Sequence, residues 1–170
     1  MSRIPKDLIK KHKKIFYTDA RGSNSIHLED KNENLLLKES FSKKNVFRGM
    51  HIQIPPNPQK KYIKVFNGRI KDYVIPLDSK RVDFGEIYSF NIDQKSGVFE
   101  IPCYCAHGFH ALEDTNFMYI CLGNYSDAHE LSIALPDFPD EIHRSKKDLS
   151  GISLSRSLEI CKDINWDEFI

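Results

Sequence analysis

The sequence predicts an all-β sandwich or barrel followed by a short C-terminal helical segment. Short runs of β-branched and aromatic residues recur along most of the chain, turn residues separate them, and no helical periodicity intervenes. This pattern is typical of antiparallel all-β domains. The chain has 170 residues, enough for one domain with its own hydrophobic core, so we expect a single domain over residues 1–170.

Each predicted strand is an apolar or alternating run bounded by turn residues. These strands are Ile15–Tyr17, Leu35–Leu37, Val46–Ile52, Tyr62–Phe66, Ile70–Leu77, Ile87–Ile92, Gly97–Ile101, Phe109–Leu112 and Phe117–Leu122. Asn67-Gly68 lies between two alternating strands and predicts a β-hairpin with a type I′ turn, in which both central residues have positive φ.

The pattern changes after about Pro136, where charged and proline-broken sequence replaces the strands. Apolar spacing at Leu158, Ile160 and Cys161 predicts a short helix from about Ser155. We expect the segment of residues 137–170 to cap the barrel.

Composition and charge exclude several classes of partner. Lysine and arginine total 25 against 24 acidic residues, so no overall field attracts nucleic acid or an anionic membrane. No apolar run is long enough to cross a bilayer, and the basic stretch from Arg3 to Lys14 has no hydrophobic signal core behind it. We therefore expect a cytoplasmic protein with neither nucleic-acid nor membrane partners. The four cysteines form no CxxC pair, which favours buried thiols over disulfides or a zinc site.

Polar residues on apolar strand faces are the candidates for a functional site. Lys61 shares a strand face with Ile63 and Val65, so its ammonium group either reaches an edge or works inside a cavity. In the strand from Val46, alternation puts His51 and Gln53 on one face with Phe47 and Gly49, and puts Arg48, Met50 and Ile52 on the other. A buried histidine taken alone is more often structural.

A second histidine and two tyrosines extend this set. The segment from Ile101 to Phe109 ends a strand, turns and starts another, which brings His107 back toward the same barrel. Tyr119 shares a face with Phe117 and Cys121, and Tyr125 follows the Gly123-Asn124 turn. A tyrosine hydroxyl aimed into a polar cavity donates protons when a lysine or histidine tunes it, although an amphipathic core tyrosine needs no such role.

Several of these motifs follow one another in a register that is specific to one family. They are Arg48-Gly49-Met50-His51-Ile52-Gln53, Gln59-Lys60-Lys61, Asn67 to Asp72, Phe84-Gly85, Ile101-Pro102, Ala106-His107-Gly108-Phe109, and Tyr119 to Tyr125. From about Ile15 to Asp148 the chain resembles the dTDP-4-dehydrorhamnose 3,5-epimerase family. The resemblance implies a cupin jelly-roll barrel that forms a homodimer, uses neither metal nor organic cofactor, and inverts carbons beside the 4-keto group of a nucleotide-linked 6-deoxyhexose.

The resemblance also implies a role for each catalytic residue. His51 would be the base, and Asp148 would hold its imidazole in the correct tautomer. Lys61 would stabilise the enolate oxygen, and Tyr119 would be the acid on the opposite face of the sugar.

Five further residues match the substrate-binding positions of the family. Arg48 and Gln53 would lie near the phosphates or sugar, His107 would contact the sugar, and Tyr125 would shape the pocket beside Tyr119. Arg21 matches a family arginine that reaches the nucleotide diphosphate across the dimer.

The chain departs from the family at the nucleotide end of the site. After Arg21-Gly22 the family has aromatic residues and then a glutamate, whereas this chain reads Ser23-Asn24-Ser25-Ile26. Leu36 and Lys38 stand where the family carries a glutamine and an asparagine. We therefore expect an active epimerase that differs from the type enzyme, either in its nucleotide sugar, such as a CDP- or GDP-linked one, or by acting at one carbon only.

Two other classes of function remain open from the sequence. One is a metal-dependent cupin enzyme, such as a sugar isomerase or dioxygenase. Its metal site usually combines His-x-His, a following acid and a distant histidine, of which this chain supplies only His51 and His107. The other is a non-catalytic carbohydrate-binding cupin, which has no need of a base and an acid on opposite faces.

Overall fold

Two antiparallel β-sheets form the body of the protein. The computed structural model describes residues 12–135 and 141–169, so most of the basic N-terminal stretch and the start of the expected C-terminal cap lie outside the described residues. The strands are β1 (Ile15–Asp19), β2 (Gly22–Asp30), β3 (Leu35–Ser42), β4 (Phe47–Gln53), β5 (Lys60–Asn67), β6 (Arg69–Pro76), β7 (Tyr88–Asp93), β8 (Phe99–Ile101), β9 (Cys105–Ala111), β10 (Thr115–Leu122) and β11 (Glu130–Ser132). Two short helices follow, α1 (Lys146–Leu149) and α2 (Leu154–Cys161).

From β3 onward, strands that follow one another in sequence lie in different sheets, except for β6 and β7. The larger sheet has the order β1-β2-β3-β10-β5-β8, and the smaller has the order β11-β4-β9-β6-β7. The predicted all-β architecture is confirmed, and so is the helix expected from about Ser155. None of the helices among the described residues is long and apolar enough to cross a membrane.

One of two buried hydrophobic clusters lies between the two sheets. Ile63 and Val65 of β5 and Phe117 of β10 point inward from the larger sheet, and Ile70 and Phe109 from the smaller one. The Phe109 and Phe117 rings join the sheets edge to face, with centroids 4.5 Å apart. Ile63, Phe109 and Phe117 of this core also line a cavity between the sheets, so the apolar core and the cavity share a wall.

The C-terminal segment covers the outer face of the smaller sheet. Cys161 and Trp166 pack there in one buried cluster with Phe47, Ile75 and Leu77. The indole Nε1 of Trp166 donates to the Leu77 carbonyl oxygen at 3.0 Å, which fixes the end of the chain against β6. All four cysteines are buried free thiols, as predicted.

The hairpin predicted at Asn67-Gly68 is wrong. β5 belongs to the larger sheet and β6 to the smaller one, so this turn is a corner at which the chain passes between sheets. Gly68 has φ of +82°, whereas Asn67 does not take the positive φ that a type I′ turn requires. A Cβ at Gly68 would lie 2.4 Å from the Asp114 carbonyl oxygen, so close packing at the corner accounts for the glycine.

The simple alternation predicted for β4 is also wrong. The pairing of β4 with β9 shifts register between Arg48 and His51, and Gly49 has φ of +117° at this irregularity. A Cβ on Gly49 would lie 2.6 Å from the Cα of Gly108. Because an irregularity of this kind breaks the two-residue period, Arg48 and His51 line the same cavity although alternation placed them on opposite faces.

Strand boundaries differ elsewhere because polar sequence can also form strands. β2 was not predicted, since Ser23-Asn24-Ser25 carries no apolar alternation, yet it pairs with β1 and β3. The three-residue β11 was not predicted either. β9 begins at Cys105, four residues before the predicted Phe109, so His107 lies within a strand.

Candidate active site

A cavity of about 270 Å³ lies between the two sheets and is open to solvent at one end. Its walls come from both sheets, from the turn after β10 and from α1. All of the predicted site residues line it, namely Arg21, Arg48, His51, Gln53, Lys61, His107, Tyr119, Tyr125 and Asp148. The structure therefore brings together residues that lie up to 127 positions apart in the sequence.

His51 of β4 forms a close pair with Asp148 of α1. Its Nε2 lies 2.8 Å from Asp148 Oδ1, and the carboxylate is only 2% exposed while the imidazole is 29% exposed. Burial alone would raise the pKa of Asp148, but hydrogen bonds with His51 and Ser145 hold that pKa below its ordinary value. With Nε2 facing the carboxylate, Nδ1 is the ring nitrogen left to accept a proton.

The position of Asp148 is fixed by the cap of α1. The backbone N–H of Asp148 donates to the Ser145 hydroxyl at 3.0 Å, and its carboxylate accepts from the Ser145 N–H at 3.2 Å. This reciprocal arrangement is a capping box, in which the residue three positions after the cap usually is Glu or Gln. The shorter aspartate serves the cap and still faces His51, so one side chain ends a loop and orients the base.

Lys61 of β5 lies on the opposite wall. It is paired with Cys121 of β10, and burial lowers the pKa of its ammonium group. A cation held in a poorly solvated cavity interacts strongly with a developing oxyanion, because little water screens it.

Tyr119 of β10 lies beside Lys61. It is paired with Ile63, which places it diagonally across from Lys61, roughly 7 Å away. Burial raises the pKa of its hydroxyl, while the Lys38 charge and a hydrogen bond with Asn24 act in the opposite direction. The hydroxyl therefore carries its proton at neutral pH and is able to donate it.

The base and the acid come from different sheets. His51 belongs to the smaller sheet, and Lys61 and Tyr119 belong to the larger one. Packed sheets lie about 10 Å apart, a separation that holds one sugar ring between the two walls. A ring bound there would meet the imidazole on one face and the phenol on the other.

A second histidine–carboxylate pair stands next to the first. His107 of β9 is the register partner of His51, and its Nε2 lies 2.8 Å from Oδ1 of Asp72 on β6. Asp72 is fully buried, and its other carboxylate oxygen has no partner among the described residues. Sequence reasoning gave Asp72 no role. Strand alternation could have identified Asp72, because it puts this carboxylate on the same face as the apolar residues Ile70 and Val74. The same signal identified Lys61.

The two predicted arginines lie at the mouth of the cavity. Arg48 Nε donates to the Ser42 hydroxyl at 3.0 Å. Arg21 binds Asp19 at 2.7 Å and Asp148 at 3.3 Å. In the single chain Arg21 thus lines the cavity beside Asp148, and its reach across a dimer stays a prediction.

Gln53 and Tyr125 line the cavity next to the turn after β10. Gln53 is 3% exposed, its Oε1 accepts from the Ser126 N–H at 3.0 Å, and its Nε2 has no partner among the described residues. That amide group is available to a ligand. The Tyr125 hydroxyl donates to Asp127 at 2.6 Å and also contacts Glu130; burial and these two carboxylates raise the pKa of Tyr125. Tyr125 therefore stays neutral at the rim.

Eleven of the residues that line the cavity were not among the predicted site residues, and six of them are polar, namely Asn24, Lys38, Gln59, Glu130, Ser145 and Lys147. Asn24 and Lys38 were noted only as departures from the family, and Glu130 carried no signal in the sequence. Within residues 12–135 and 141–169 no three His, Cys, Asp or Glu side chains are grouped as metal ligands would be.

Fold and site together define a class of protein. A jelly-roll barrel of the cupin type, with a histidine–carboxylate pair on one wall and a lysine and tyrosine on the other, is the arrangement of an acid–base enzyme. Comparison with known families gives the particular assignment. The chain belongs to the dTDP-4-dehydrorhamnose 3,5-epimerase family, whose model matches residues 15–156. The predicted family, its cupin fold and its isomerase class are confirmed.

Individual relatives carry the same name. The dTDP-4-dehydrorhamnose 3,5-epimerase of Salmonella typhimurium is 33% identical over 100 residues, which are 58% of this chain and 55% of that protein. The chain thus aligns with about half the length of that relative. The enzyme of Methanothermobacter thermautotrophicus is 33% identical over 134 residues, covering 73% of this chain and 71% of that one. The crystal structure of the Sulfolobus tokodaii enzyme superposes with a TM-score of 0.65 at 30% identity, over 84% of this chain and 96% of that one.

Proposed function

We propose that this protein inverts C3, C5 or both in a nucleotide-linked 4-keto-6-deoxy sugar, without a cofactor. The observation that carries the proposal is the placement of His51 and Tyr119 on opposite walls of one cavity. Inversion at a carbon requires a proton to leave one face and another to arrive at the opposite face, so two groups on two walls suit this reaction and no simple binding function. The names of the relatives support the choice of substrate class.

The residues divide the reaction between them. His51 removes the proton beside the ketone through Nδ1, and Asp148 stabilises the imidazolium that results. The electron pair of the broken C–H bond moves onto the ketone oxygen, where the Lys61 ammonium group stabilises the enolate. Tyr119 then gives its hydroxyl proton to the same carbon from the opposite face, and exchange with solvent restores both groups.

The sugar is held by the side chains around these groups. His107, oriented by Asp72, lies beside His51 and faces the same cavity. The unpaired Nε2 of Gln53 supplies a donor, and the ring of Tyr125 closes the rim. These contacts hold the ring so that the reacting C–H bond points at the imidazole.

A second cavity of about 190 Å³ adjoins the first and suits the nucleotide. The two cavities share Arg21, Asn24 and Arg48, and Tyr17 and Thr18 line only the second. The guanidinium groups lie where a diphosphate would bridge the cavities. Because the family's aromatic residues and glutamate are absent here, we propose that the nucleotide differs from dTDP.

Nucleotide preference is tested by calorimetric titration with dTDP, CDP and GDP at one salt concentration. Tighter binding of CDP or GDP is expected. A clear preference for dTDP contradicts the proposed change of nucleotide but leaves the epimerase proposal intact.

We also propose a homodimer formed along β1. This strand is the edge of the larger sheet, all five of its residues are exposed, and Phe16 and Tyr17 are 59% and 57% exposed. No other strand of residues 12–135 and 141–169 pairs with the outer side of β1, and a free edge with aromatic side chains favours pairing with another chain, here a second copy. Light scattering should give twice the chain mass, and Phe16→Glu should give the monomer. A monomeric wild-type protein at micromolar concentration would contradict this proposal.

We further propose that the enzyme works in the cytoplasm. Its cysteines are free thiols, as is usual in a reducing compartment. Cell fractionation with an antibody tests this, and recovery outside the cytoplasmic fraction contradicts it.

The epimerase proposal is tested by deuterium uptake. The protein is incubated in D₂O with dTDP-4-keto-6-deoxyglucose and its CDP- and GDP-linked counterparts, and label at C3 and C5 is followed by mass spectrometry and NMR. Uptake at both carbons, lost in His51→Ala, supports a 3,5-epimerase, and uptake at one carbon supports a single-carbon epimerase. Absence of uptake with every nucleotide sugar contradicts the proposal.

A further inference from the structure

Two residues that differ from the family meet at Tyr119. Lys38 of β3 is the direct register partner of Tyr119. Its Nζ lies 5.7 Å from the centre of the Tyr119 ring and 5.4 Å from the centre of the Tyr125 ring. The family carries a neutral asparagine at this position, so the charge beside the acid is particular to this chain.

Asn24 of β2 reaches the same tyrosine from the other side of β3. Both side chains line the cavity, and a hydrogen bond with Asn24 acts to lower the pKa of the Tyr119 hydroxyl. The Asn24 Oδ1 is buried without a partner among the described residues, so the amide nitrogen is the donor and the phenol oxygen the acceptor. In the family, aromatic residues and then a glutamate stand where this chain has Ser23-Asn24-Ser25-Ile26, so the amide donor belongs to the altered stretch.

This geometry determines where the O–H bond of Tyr119 points. When the phenol oxygen accepts from Asn24, its own O–H has to point elsewhere, and the cavity is the open direction. After that proton is transferred, a phenolate remains, and the Lys38 charge and the Asn24 N–H both stabilise it. Burial of Tyr119 opposes phenolate formation, so these two contacts offset a cost that the cavity itself imposes.

We infer that Lys38 and Asn24 are positioning residues that make Tyr119 an effective proton donor in this chain. The inference rests on the proposed epimerase function and adds to it two residues and a distinct step. It also explains why the two departures from the family occur at positions that converge on one side chain.

The test uses the fate of the enolate. In D₂O, return of a deuteron from His51 gives labelled substrate without inversion, whereas donation from Tyr119 gives labelled product with inversion. The ratio of exchange to inversion therefore reports on Tyr119 alone. A substitution that only loosens the fold or weakens substrate binding slows both outcomes together and leaves the ratio unchanged.

Lys38→Met and Asn24→Ala are compared with the wild-type protein in this assay. Loss of one stabilising contact of this kind is expected to raise the exchange-to-inversion ratio about tenfold, which corresponds to roughly one pKa unit. Lys38→Arg keeps the charge and should restore the ratio to within about threefold. The alkaline limb of the inversion rate should move to higher pH in Lys38→Met, because removing the cation raises the pKa of Tyr119.

Lys71→Met is the matched control. Lys71 also covers a tyrosine ring, that of Tyr73, at 5.6 Å, but it does not line the cavity. Its ratio should equal that of the wild type. Tyr119→Phe marks the limit of exchange without inversion.

The possible outcomes distinguish failure of this inference from failure of the proposed epimerase function. Exchange and inversion by the wild type, with unchanged ratios in both Lys38→Met and Asn24→Ala, overturn the inference and leave the epimerase proposal standing. A raised KM for Lys38→Met with an unchanged ratio also overturns it, because the lysine would then bind a substrate anion. Absence of exchange in the wild type with every nucleotide sugar overturns both. The two variants change different strands, and if one of them fails to fold, an unchanged ratio in the other overturns the inference.

Discussion

Replacement of Asp148 by asparagine tests the histidine–carboxylate pair without removing volume. The carboxylate is 2% exposed and lies 2.8 Å from His51 Nε2, so the contact is a buried, charge-assisted hydrogen bond. Asparagine fits the same space but carries no charge to stabilise the imidazolium.

The size of the effect follows from this contact. A hydrogen bond to a charged group contributes about 1.5–3 kcal/mol, or about 10- to 150-fold in rate. Burial of Asp148 favours the upper part of this range, and the 29% exposure of His51 admits water that screens the pair. We therefore expect kcat for deuterium exchange to fall about 30-fold, or roughly 2 kcal/mol, with a smaller change in KM.

The assay is the initial rate of deuterium uptake beside the ketone, measured by mass spectrometry at saturating substrate. Asp167→Asn is the control, since Asp167 forms an exposed ion pair with Lys80 far from the cavity. Circular dichroism and thermal unfolding establish that both variants are folded. A folded Asp148→Asn protein that exchanges within about threefold of the wild type would refute the assignment of Asp148 as the group that holds the base.

Three further outcomes are expected. Lys61→Met should lower kcat by about 100-fold or more, because it removes the cation beside the enolate oxygen. Binding of a substrate analogue should change far less. Equal losses in kcat and in analogue binding would contradict the role of Lys61. Trp166→Ala should lower the free energy of unfolding in urea by about 4 kcal/mol, since it empties a fully buried site and leaves the Leu77 carbonyl oxygen unpaired, whereas Trp166→Phe should cost less than half as much. The pKa of Asp148 is lower in the folded protein than its ordinary value, so its contribution to stability is present above about pH 4 and is lost as the pH falls through the folded value. Between pH 7 and pH 3, the free energy of unfolding in urea should therefore fall less in Asp148→Asn than in the wild type.

Local signals in the sequence marked Lys61 as a candidate, and the resemblance to the family then gave His51 and Tyr119 their expected roles. Lys61 stood out because it interrupts an apolar strand face, and His51 and Tyr119 lie in motifs with fixed spacing. Such signals depend on a few neighbouring residues, and packing of the two sheets does not change them.

Long-range pairing accounts for what the sequence did not reveal. Asn67-Gly68 indicates a turn, but whether β5 and β6 pair with each other depends on β9 and β10, which follow some 40 residues later. Arg48 was assigned to the wrong face because the register shift before His51 is visible only in the pairing with β9. Asp72 was missed for a related reason, since its partner His107 is 35 residues away.

The two histidine–carboxylate pairs also become complete at different stages of the chain's life. Asp72 and His107 both belong to barrel strands, whereas Asp148, the partner of His51, belongs to α1. Two contacts hold the segment that contains α1 against the barrel, namely the bridge between Ile133 and Ile152 and the packing of Trp166 against the smaller sheet. A nascent chain that has released every barrel strand from the ribosome still has an imidazole without its carboxylate. On the proposed mechanism, proton abstraction therefore reaches its full rate only when the last segment docks, and a chain that lacks α1 has a weaker base in the same cavity.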